Sequence, residues 1–263
     1  MLNLTQDYLL VIFTVVASLL LILGINRLWP SQMRRAHNEL IGWQLTVLGT
    51  TYAVIMGFML YTVWTNFGTA EINAGSEANA IVNVYHLAQG LPASQRDALE
   101  KAAMAYVGTV VNTEWPAMAR GDSSFVATDQ KDEMWHILMT VKAASPTEIT
   151  AEDHAISELS AMSSYRRTRQ LSSSSRLPGI LWWVLLVGGL LTVTSACMFG
   201  AENMTLHTLQ VAFFSLLIAL ILVAIADIDR PFQGTVHVSD AAFRSAQRTM
   251  YIEHALQMKP SAQ

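Results

Sequence analysis

The chain has 263 residues, of which 52% are hydrophobic and 14% are charged, and its formal net charge is −4 at pH 7. Ordinary soluble domains carry about a quarter charged residues, so this composition indicates a membrane protein. A net negative charge without a basic stripe excludes a typical nucleic-acid-binding protein. The single cysteine, Cys197, excludes an intrachain disulfide.

Four stretches contain no Asp, Glu, Lys or Arg: residues 8–26, 40–70, 177–201 and 203–226. Each is long enough to cross a hydrocarbon core of about 30 Å as a helix, which needs about 20 residues. A helix satisfies its own backbone hydrogen bonds in lipid, whereas an open sheet does not. The sequence therefore predicts an all-α integral membrane protein with four transmembrane helices.

The charge distribution divides the chain into two hydrophobic hairpins, a polar middle and a tail. The first hairpin is expected over 1–67 (helices 8–29 and 41–67), and the second over 177–227 (helices 178–200 and 204–226). The polar middle, 68–176, is expected to be helical, and 228–263 form the C-terminal tail.

Two local signals in the polar middle predict helix ends. One helix is expected to begin near Thr150, where the sequence T-A-E-D places an acid three residues after a capping hydroxyl. The sequence Glu114-Trp115-Pro116 is expected to end a helix, with Trp115 packed in the core, since proline disrupts a helix interior.

The arginines near the membrane ends predict the topology. On the side of both termini and the middle they are Arg166, Arg167, Arg169, Arg176, Arg230, Arg244 and Arg248, and on the other side they are Arg27, Arg34 and Arg35. The positive-inside rule then predicts a multi-pass protein of the cytoplasmic (inner) membrane with the middle and both termini in the cytoplasm. The positive flank of the first helix favours the opposite orientation. Arg166, Arg167 and Arg169 either attract anionic lipid head groups or act only as this topology signal.

The second hydrophobic stretch shows three faces when it is projected on a helix of 3.6 residues per turn. The small-residue face consists of Gly42, Thr46, Gly49, Ala53 and Gly57, and such spacing predicts close packing with another helix. An apolar face, suited to lipid or to another helix, consists of Leu45, Leu48, Tyr52, Ile55, Met56, Met59 and Val63. The third, which we name the hydroxyl face, consists of Thr50, Thr51, Val54, Phe58, Tyr61, Thr62 and Thr65.

The hydroxyl face allows two interpretations. Its threonine hydroxyls can bond to carbonyls of their own helix at little cost. Alternatively, the face lines a water-filled path around a symmetry axis, and Val54 and Phe58 form an apolar constriction that gates by dewetting. Glu71 and Glu77 follow on the same stretch, either as a cation-attracting vestibule or as a solvated or subunit-contacting part of the helix.

Several segments resemble the uncharacterised bacterial bestrophin-like family over residues 37–232. They read HNELIGWQL, GTTYAVIMGFMLYTVWTNF, SEANAIVNVYHLAQGLP, EWPAM, LPGILWWVLLVGGLLTVTSACMFG and DIDRPFQG. The sequence VIMGFML is similar to the pore helix of bestrophin channels, and this resemblance implies that Thr50, Val54 and Phe58 face the neck of a pentameric ion channel. The sequence DRPFQG is similar to the stretch after the last bestrophin membrane helix, but the acidic run of the calcium-gated members is absent.

No arrangement of residues predicts catalysis. The seven histidines lack a metal-ligand spacing, and the chain contains neither a P-loop nor G-x-S-x-G, so we expect no catalytic residue, no metal site, no cofactor and no enzyme. The first hypothesis is a homo-oligomeric ion channel lined by Thr50, Val54, Phe58, Tyr61, Thr62 and Thr65, with the lipid bilayer and an inorganic ion as partners. The alternative, which the absence of charged pore rings favours, is a non-conducting scaffold or sensory protein whose helical middle binds a partner.

Overall fold

The computed structural model describes residues 4–122 and 124–257, and within these ranges every regular element is a helix. In chain order they are α1 (Leu4–Leu28), α2 (Ser31–Arg35), α3 (Asn38–Ala88), α4 (Ala93–Thr109), α5 (Trp115–Arg120), α6 (Thr128–Met139), α7 (Pro146–Ser174), α8 (Gly179–Cys197), α9 (Met204–Ile228) and α10 (Ala241–Gln257). A π-helical turn, Val110–Glu114, joins α4 to α5.

Four of these helices are long and apolar enough to cross a membrane: Asp7–Leu28, Asn38–Ala88, Gly179–Cys197 and Met204–Ile228. The prediction of an all-α protein with four membrane-spanning helices is therefore confirmed. The chain folds as two compact units, and the division falls inside α3, between Asn66 and Phe67. Unit 1 consists of the chain up to Asn66 together with Arg176–Arg230 and Gly234–Val236. Unit 2 consists of Phe67–Ser175, Pro231–Gln233 and the tail from His237.

Helix α3 does not end where the polar sequence begins. The sequence predicted a membrane helix that stops at residue 67, whereas α3 continues to Ala88. The segment contains no proline, and Gly68 and Gly75 cost only about 1 kcal/mol each in a helix interior. The sequence becomes polar at Gly68, but the backbone hydrogen bonds of α3 continue unbroken past this residue.

In unit 1, α3 meets α8 at a close crossing. The Tyr52 ring lies over the backbone of Gly188 and Gly189, where an added Cβ would come within 2.9 Å of it, and its hydroxyl donates to the Leu185 carbonyl at 2.9 Å. Small residues allow such close approach, which is how helices associate in lipid. The small residues at this crossing belong to α8, and α3 contributes the large side chain. Helix α1 packs on α8 and α9 in the same unit.

The short helix α2 closes one end of unit 1. Arg34 is fully buried and donates to the Cys197 carbonyl at 2.6 Å and to the Asn26 side chain. Asn38 exchanges two hydrogen bonds of 2.8 Å with the backbone of Gly200. Backbone atoms of α2 lie within 3 Å of a Cβ added at Gly200, so this position requires glycine. The Cys197 carbonyl at the C-terminal end of α8, a group that a helix leaves unpaired, thereby receives a partner.

In unit 2, α7 begins earlier than expected. Ser145 and Glu148 form a complete capping box, and Pro146 occupies the first turn, so α7 starts four residues before Thr150. Both S-P-T-E and T-A-E-D carry the pattern of a capping box, and proline at the first helical position decides between them because it cannot continue a preceding helix. Thr150 instead donates its hydroxyl to the Pro146 carbonyl at 2.9 Å inside the helix.

Candidate pore surface and buried ion cluster

The hydroxyl face of α3 lies opposite the core of unit 1. Tyr52, Met56 and Val63 are buried in that core, while the side chains of Phe58 and Tyr61 are 65% and 66% exposed. Successive residues turn by about 100° around a helix, so the three buried residues lie on one side of α3 and the two exposed residues lie on the opposite side. Thr50, Thr51, Val54 and Thr65 are exposed too, and Thr62 is half-buried. Among the residues that the structure describes, therefore, nothing covers most of the face that the sequence assigned to a pore.

Two hydroxyls on this face bond to their own helix. Thr62 donates to the Phe58 carbonyl at 2.8 Å, and Thr65 lies within 3.0 Å of the carbonyls of both Tyr61 and Thr62. Each hydroxyl oxygen keeps acceptor capacity after donating its hydrogen. The two interpretations of the sequence are thus compatible, because a bonded threonine on an exposed face still presents an oxygen to water.

The small-residue face of α3 is uncovered as well. A Cβ added at Gly49 or Gly57 would meet no atom within 4 Å, Ala53 is exposed, and only Gly42 approaches another side chain, at 3.6 Å from the Phe199 ring. Gly49 lines an apolar groove of about 610 Å³. The other residues of this groove are Leu45, Thr46, Thr50, Ala196, Phe199, His207, Gln210, Val211 and Phe214. No helix of the described chain occupies this face, so its predicted packing role remains a prediction about another chain.

The two acidic residues predicted to form a vestibule have different surroundings. Glu71 is exposed on α3, as a vestibule requires. Glu77 is fully buried and forms a salt bridge with Arg169, whose Nε lies 2.7 Å from its Oε2. The prediction that Glu77 belongs to a vestibule is wrong, because its carboxylate is enclosed and already neutralised.

Glu77 instead belongs to a buried ion cluster in unit 2, formed by Glu77, Tyr106, Glu114, Arg166 and Arg169. The Nη2 atom of Arg169 bonds to both glutamates, at 2.9 Å from Glu77 and 3.0 Å from Glu114. Arg166 binds Glu114 through two nitrogens, at 2.7 and 2.9 Å, and the Tyr106 hydroxyl donates to Glu77 at 2.5 Å. Two positive and two negative charges therefore compensate each other away from water, which a buried charge requires.

Aromatic rings and backbone complete the enclosure of the cluster. The Arg169 guanidinium lies 5.7 Å from the ring centres of Trp115 and Phe243, and that of Arg166 lies 5.5 Å from the Tyr106 ring. Such cation–π contacts favour a guanidinium more than a compact ammonium. The backbone N–H of Ala127 donates to Glu114 at 3.1 Å. Helices α3, α4 and α7, the π-helical turn and α10 all contribute to one site.

The cluster shifts the titration of its members. Burial alone would raise the pKa of the Glu114 carboxyl, but the hydrogen bonds and charges of Arg166 and Arg169 outweigh it and lower the pKa from 4.5. Burial, followed by the charge of Glu77, raises the pKa of Tyr106. Because Glu114 has a lower pKa in the folded chain than in the unfolded chain, it contributes stability above about pH 4.5, which is lost as the pH falls through the folded pKa.

The sequence interpretation missed Glu114 and misassigned two arginines. Arg166 is 3% and Arg169 is 0% exposed, so of the three arginines considered for lipid head groups only Arg167 reaches solvent. A signal was present: Leu159 and Met162 are apolar, and positions 159, 162, 166 and 169 share one helix face. Two arginines that continue an apolar stripe indicate burial with acidic partners.

The sequence Glu114-Trp115-Pro116 does not end a helix. Val110–Glu114 forms a π-helical turn, and α5 continues from Trp115 with Pro116 in its first turn, where its missing N–H costs little. Trp115 is buried, as expected. π-Helical turns occur often at functional sites, and this one carries Glu114 into the cluster.

Acidic residues near the end of α9 bond to backbone N–H groups. Asp227 accepts from Thr235 and Val236 at 3.0 and 2.9 Å, and Asp229 accepts from Leu177 at 2.9 Å. In the part of the chain that the structure describes, no group of three or more His, Cys, Asp or Glu residues is arranged to hold a metal ion.

Replacing Arg169 by Met should destabilise unit 2 strongly. The change leaves Glu77 as an uncompensated buried charge, which costs about 3–5 kcal/mol. The control is Arg167→Met on the same helix, where an exposed side chain is expected to contribute less than about 0.5 kcal/mol. Unfolding midpoints of both purified variants in detergent measure the difference, and equal midpoints would contradict the role of the cluster.

Comparison with known proteins identifies the fold and the family. No curated protein matches the sequence. A crystallised variant of a bacterial bestrophin homologue from Klebsiella pneumoniae superposes with a TM-score of 0.68 at 14% identity, covering 96% of this chain and 98% of its own. Another crystal structure of the same homologue gives 0.67 at 14% identity, with 93% and 98% covered. A mutated membrane protein gives 0.65 at 14%, with 95% and 98% covered.

These structures share the fold. The family model described as the bestrophin-like domain matches residues 12–243, which is most of the chain. The match includes most of the first membrane-spanning helix, the other three in full, the residues of the ion cluster and the beginning of α10. The chain therefore belongs to the bestrophin-like family.

Proposed function

We propose that this protein is a homo-oligomeric ion channel whose pore is lined by the hydroxyl face of α3. The observation that carries the proposal is the position of this face, which lies on a membrane-spanning helix and points away from the core of its own unit. The four threonines of this face gain little from lipid contact, and their hydroxyls suit a water-filled path. Membership of the bestrophin-like family supports the same conclusion.

The pore surface carries no charge. Thr50, Val54, Phe58, Tyr61, Thr62 and Thr65 are its lining residues, and Val54 and Phe58 form an apolar neck. A hydrophobic constriction gates by losing and regaining water, and it does not require a ring of ionised side chains. Glu71, which is exposed on α3, is the acidic residue that we assign to a cation-attracting vestibule.

The oligomer follows from two uncovered faces on one helix. A single α3 cannot surround a pore, so several copies must meet around an axis. The surface on which the next copy packs consists of Gly42, Gly49, Ala53 and Gly57. A Cβ added at Gly49 or Gly57 would meet no described atom within 4 Å, Ala53 is exposed, and small residues permit close helix contact. The resemblance to bestrophin channels implies five copies.

We place the protein in the inner membrane with the helical middle and both termini in the cytoplasm. The exposed Arg167 and Arg244 lie on that side by sequence position, and Arg176 is exposed there too. Clusters of Lys and Arg near membrane ends favour the cytoplasmic face.

A non-conducting scaffold or sensory protein is the second candidate function. The absence of a charged ring on the hydroxyl face favours it, since nothing on that face selects an ion by charge. In this case unit 2 binds a partner protein and the membrane helices serve as an anchor.

Exchanging Phe58 for Ala should widen the neck and raise ion flux several-fold in liposomes that contain the purified protein. Phe58 is 65% exposed, so the change removes little packing from its own chain. Phe213→Ala on α9 is the matched control, because Phe213 is 62% exposed and belongs to a helix that does not line the proposed pore. Absence of flux in every salt, for the wild type and for Phe58→Ala, would overturn the channel.

Gly49→Leu should prevent assembly without unfolding the chain. The added side chain enters open space in its own subunit and obstructs the surface assigned to the next copy. Gly24→Leu on α1, where an added Cβ also meets nothing within 4 Å, should assemble as the wild type does. The mass of the nanodisc-held complex measures this, and one or two copies for the wild type would favour the scaffold.

Cysteine labelling in bacterial cells should report the topology. The native Cys197 is fully buried, so introduced cysteines react without background. A membrane-impermeant maleimide should label Glu202→Cys, at a side chain that is 89% exposed, on intact cells. Asp132→Cys, 62% exposed, should react only after permeabilisation, and the reverse pattern would show the opposite orientation.

A further inference from the structure

Helix α10 is attached to unit 2 by two different kinds of contact. Its first half is apolar: Phe243 and Met250 are fully buried, Ala246 is 5% exposed, and the Phe243 ring lies 5.5 Å from that of Trp115. Such contacts do not change with pH in the physiological range. Beyond Met250, whose carbonyl accepts from the Tyr85 hydroxyl at 3.4 Å, the contacts become titratable.

Two histidine–carboxylate pairs hold the end of α10. The Nε2 atom of His86 on α3 lies 2.9 and 3.1 Å from the two carboxylate oxygens of Glu253. The Nδ1 atom of His254 lies 3.9 Å from Oε2 of Glu100 on α4. In the first pair α10 supplies the acid, Glu253, and α3 supplies the histidine. In the second pair α10 supplies the histidine, His254, and α4 supplies the acid.

Glu100 is the unusual member of this arrangement. It is only 3% exposed, and its Oε1 atom has no hydrogen-bond partner among the described residues. An ionised carboxylate buried with an unmatched oxygen is costly. Burial raises the pKa of Glu100, and the charge of Asp97 adds to this, while His254, Arg96 and a hydrogen bond from Gln257 oppose it.

The titratable and charged groups around the contact all belong to three helices. On α3 they are Tyr85 and His86, on α4 they are Arg96, Asp97 and Glu100, and on α10 they are Glu253 and His254. Among the residues that the structure describes, no lysine or arginine forms an ion pair with Glu100 or Glu253, so histidine supplies the pairing charge.

We propose that the last two turns of α10, residues 251–257, are a pH-dependent latch. They dock on α3 and α4 while His86, His254 and Glu100 hold their protons, and they detach as these groups lose them. The first half of α10 stays in place throughout.

Loss of protons weakens docking at both pairs. A protonated His86 attracts the Glu253 carboxylate. At the second pair the Glu100 carboxylate is either compensated by a protonated His254 or neutral because it holds a proton itself, and only the loss of both protons leaves a buried charge beneath the helix. A carboxyl with a raised pKa in the docked state favours docking at low pH, and this contribution is lost as the pH rises through that pKa. Histidine is the side chain whose charge ordinarily changes between about pH 5 and 8, so this is the range in which the latch is tested.

A nitroxide label at Leu256→Cys on the full-length protein tests the latch. The buried Cys197 remains unlabelled, and Leu256 is 62% exposed, so the label does not disturb docking. Each proton lost changes the ratio of free to docked helix ends by at most about tenfold per pH unit. We expect the mobile fraction to rise at least about threefold between about pH 6 and 8.

A label at the exposed Ser245 in the first half of α10 should show no pH response. Glu100→Gln should keep the label at position 256 immobile at about pH 8, where the wild type releases it, because the variant has no charge to bury. Asp153→Asn, at an exposed acid on α7, should respond as the wild type does. Equal mobility at both pH values in the wild type would overturn the latch, and so would a label that Glu100→Gln loosens at every pH.

Discussion

The buried ion pair between Arg169 and Glu77 is the interaction on which unit 2 depends. A guanidinium enclosed in protein needs a partner for each of its charged hydrogen bonds, and here α3 and the π-helical turn supply them. The same guanidinium lies 5.7 Å from the ring centres of both Trp115 and Phe243. Displacing any one of these elements leaves a buried charge without compensation, so the cluster specifies their mutual arrangement within the unit.

Helix α3 contributes an anchoring side chain to each unit. In unit 1 the Tyr52 ring packs over Gly188 and Gly189 of α8, and in unit 2 the Glu77 carboxylate binds Arg169. Within unit 1 the core holds one side of α3, so most of the hydroxyl face and the small-residue face remain available to water, lipid or other copies of the chain.

The tail shows how one segment combines permanent and adjustable contacts. Trp115 meets Phe232 edge-on at 5.5 Å and meets Phe243 from α10, so the start of the tail is fixed by aromatic packing. The end of α10 relies on His86 and Glu100, whose charges depend on protons. Apolar packing does not depend on pH, whereas a histidine–carboxylate pair does. This difference distinguishes the fixed first half of α10 from the proposed latch at its end.

The sequence by itself determined the four membrane helices, the helical character of the middle and the faces of α3, because charge-free length and 3.6-residue periodicity are local properties. Membership of the family was visible in its motifs as well. The tertiary structure alone decided that Glu77 is buried with Arg169, that Glu114 joins them, and that α8 supplies the glycines at its crossing with α3. Glu77 and Arg169 are 92 positions apart, and the Tyr52 hydroxyl at the crossing with α8 bonds to a carbonyl 133 positions away. The sequence shows that a charged residue or a glycine is present, and only the folded chain determines which residue it contacts.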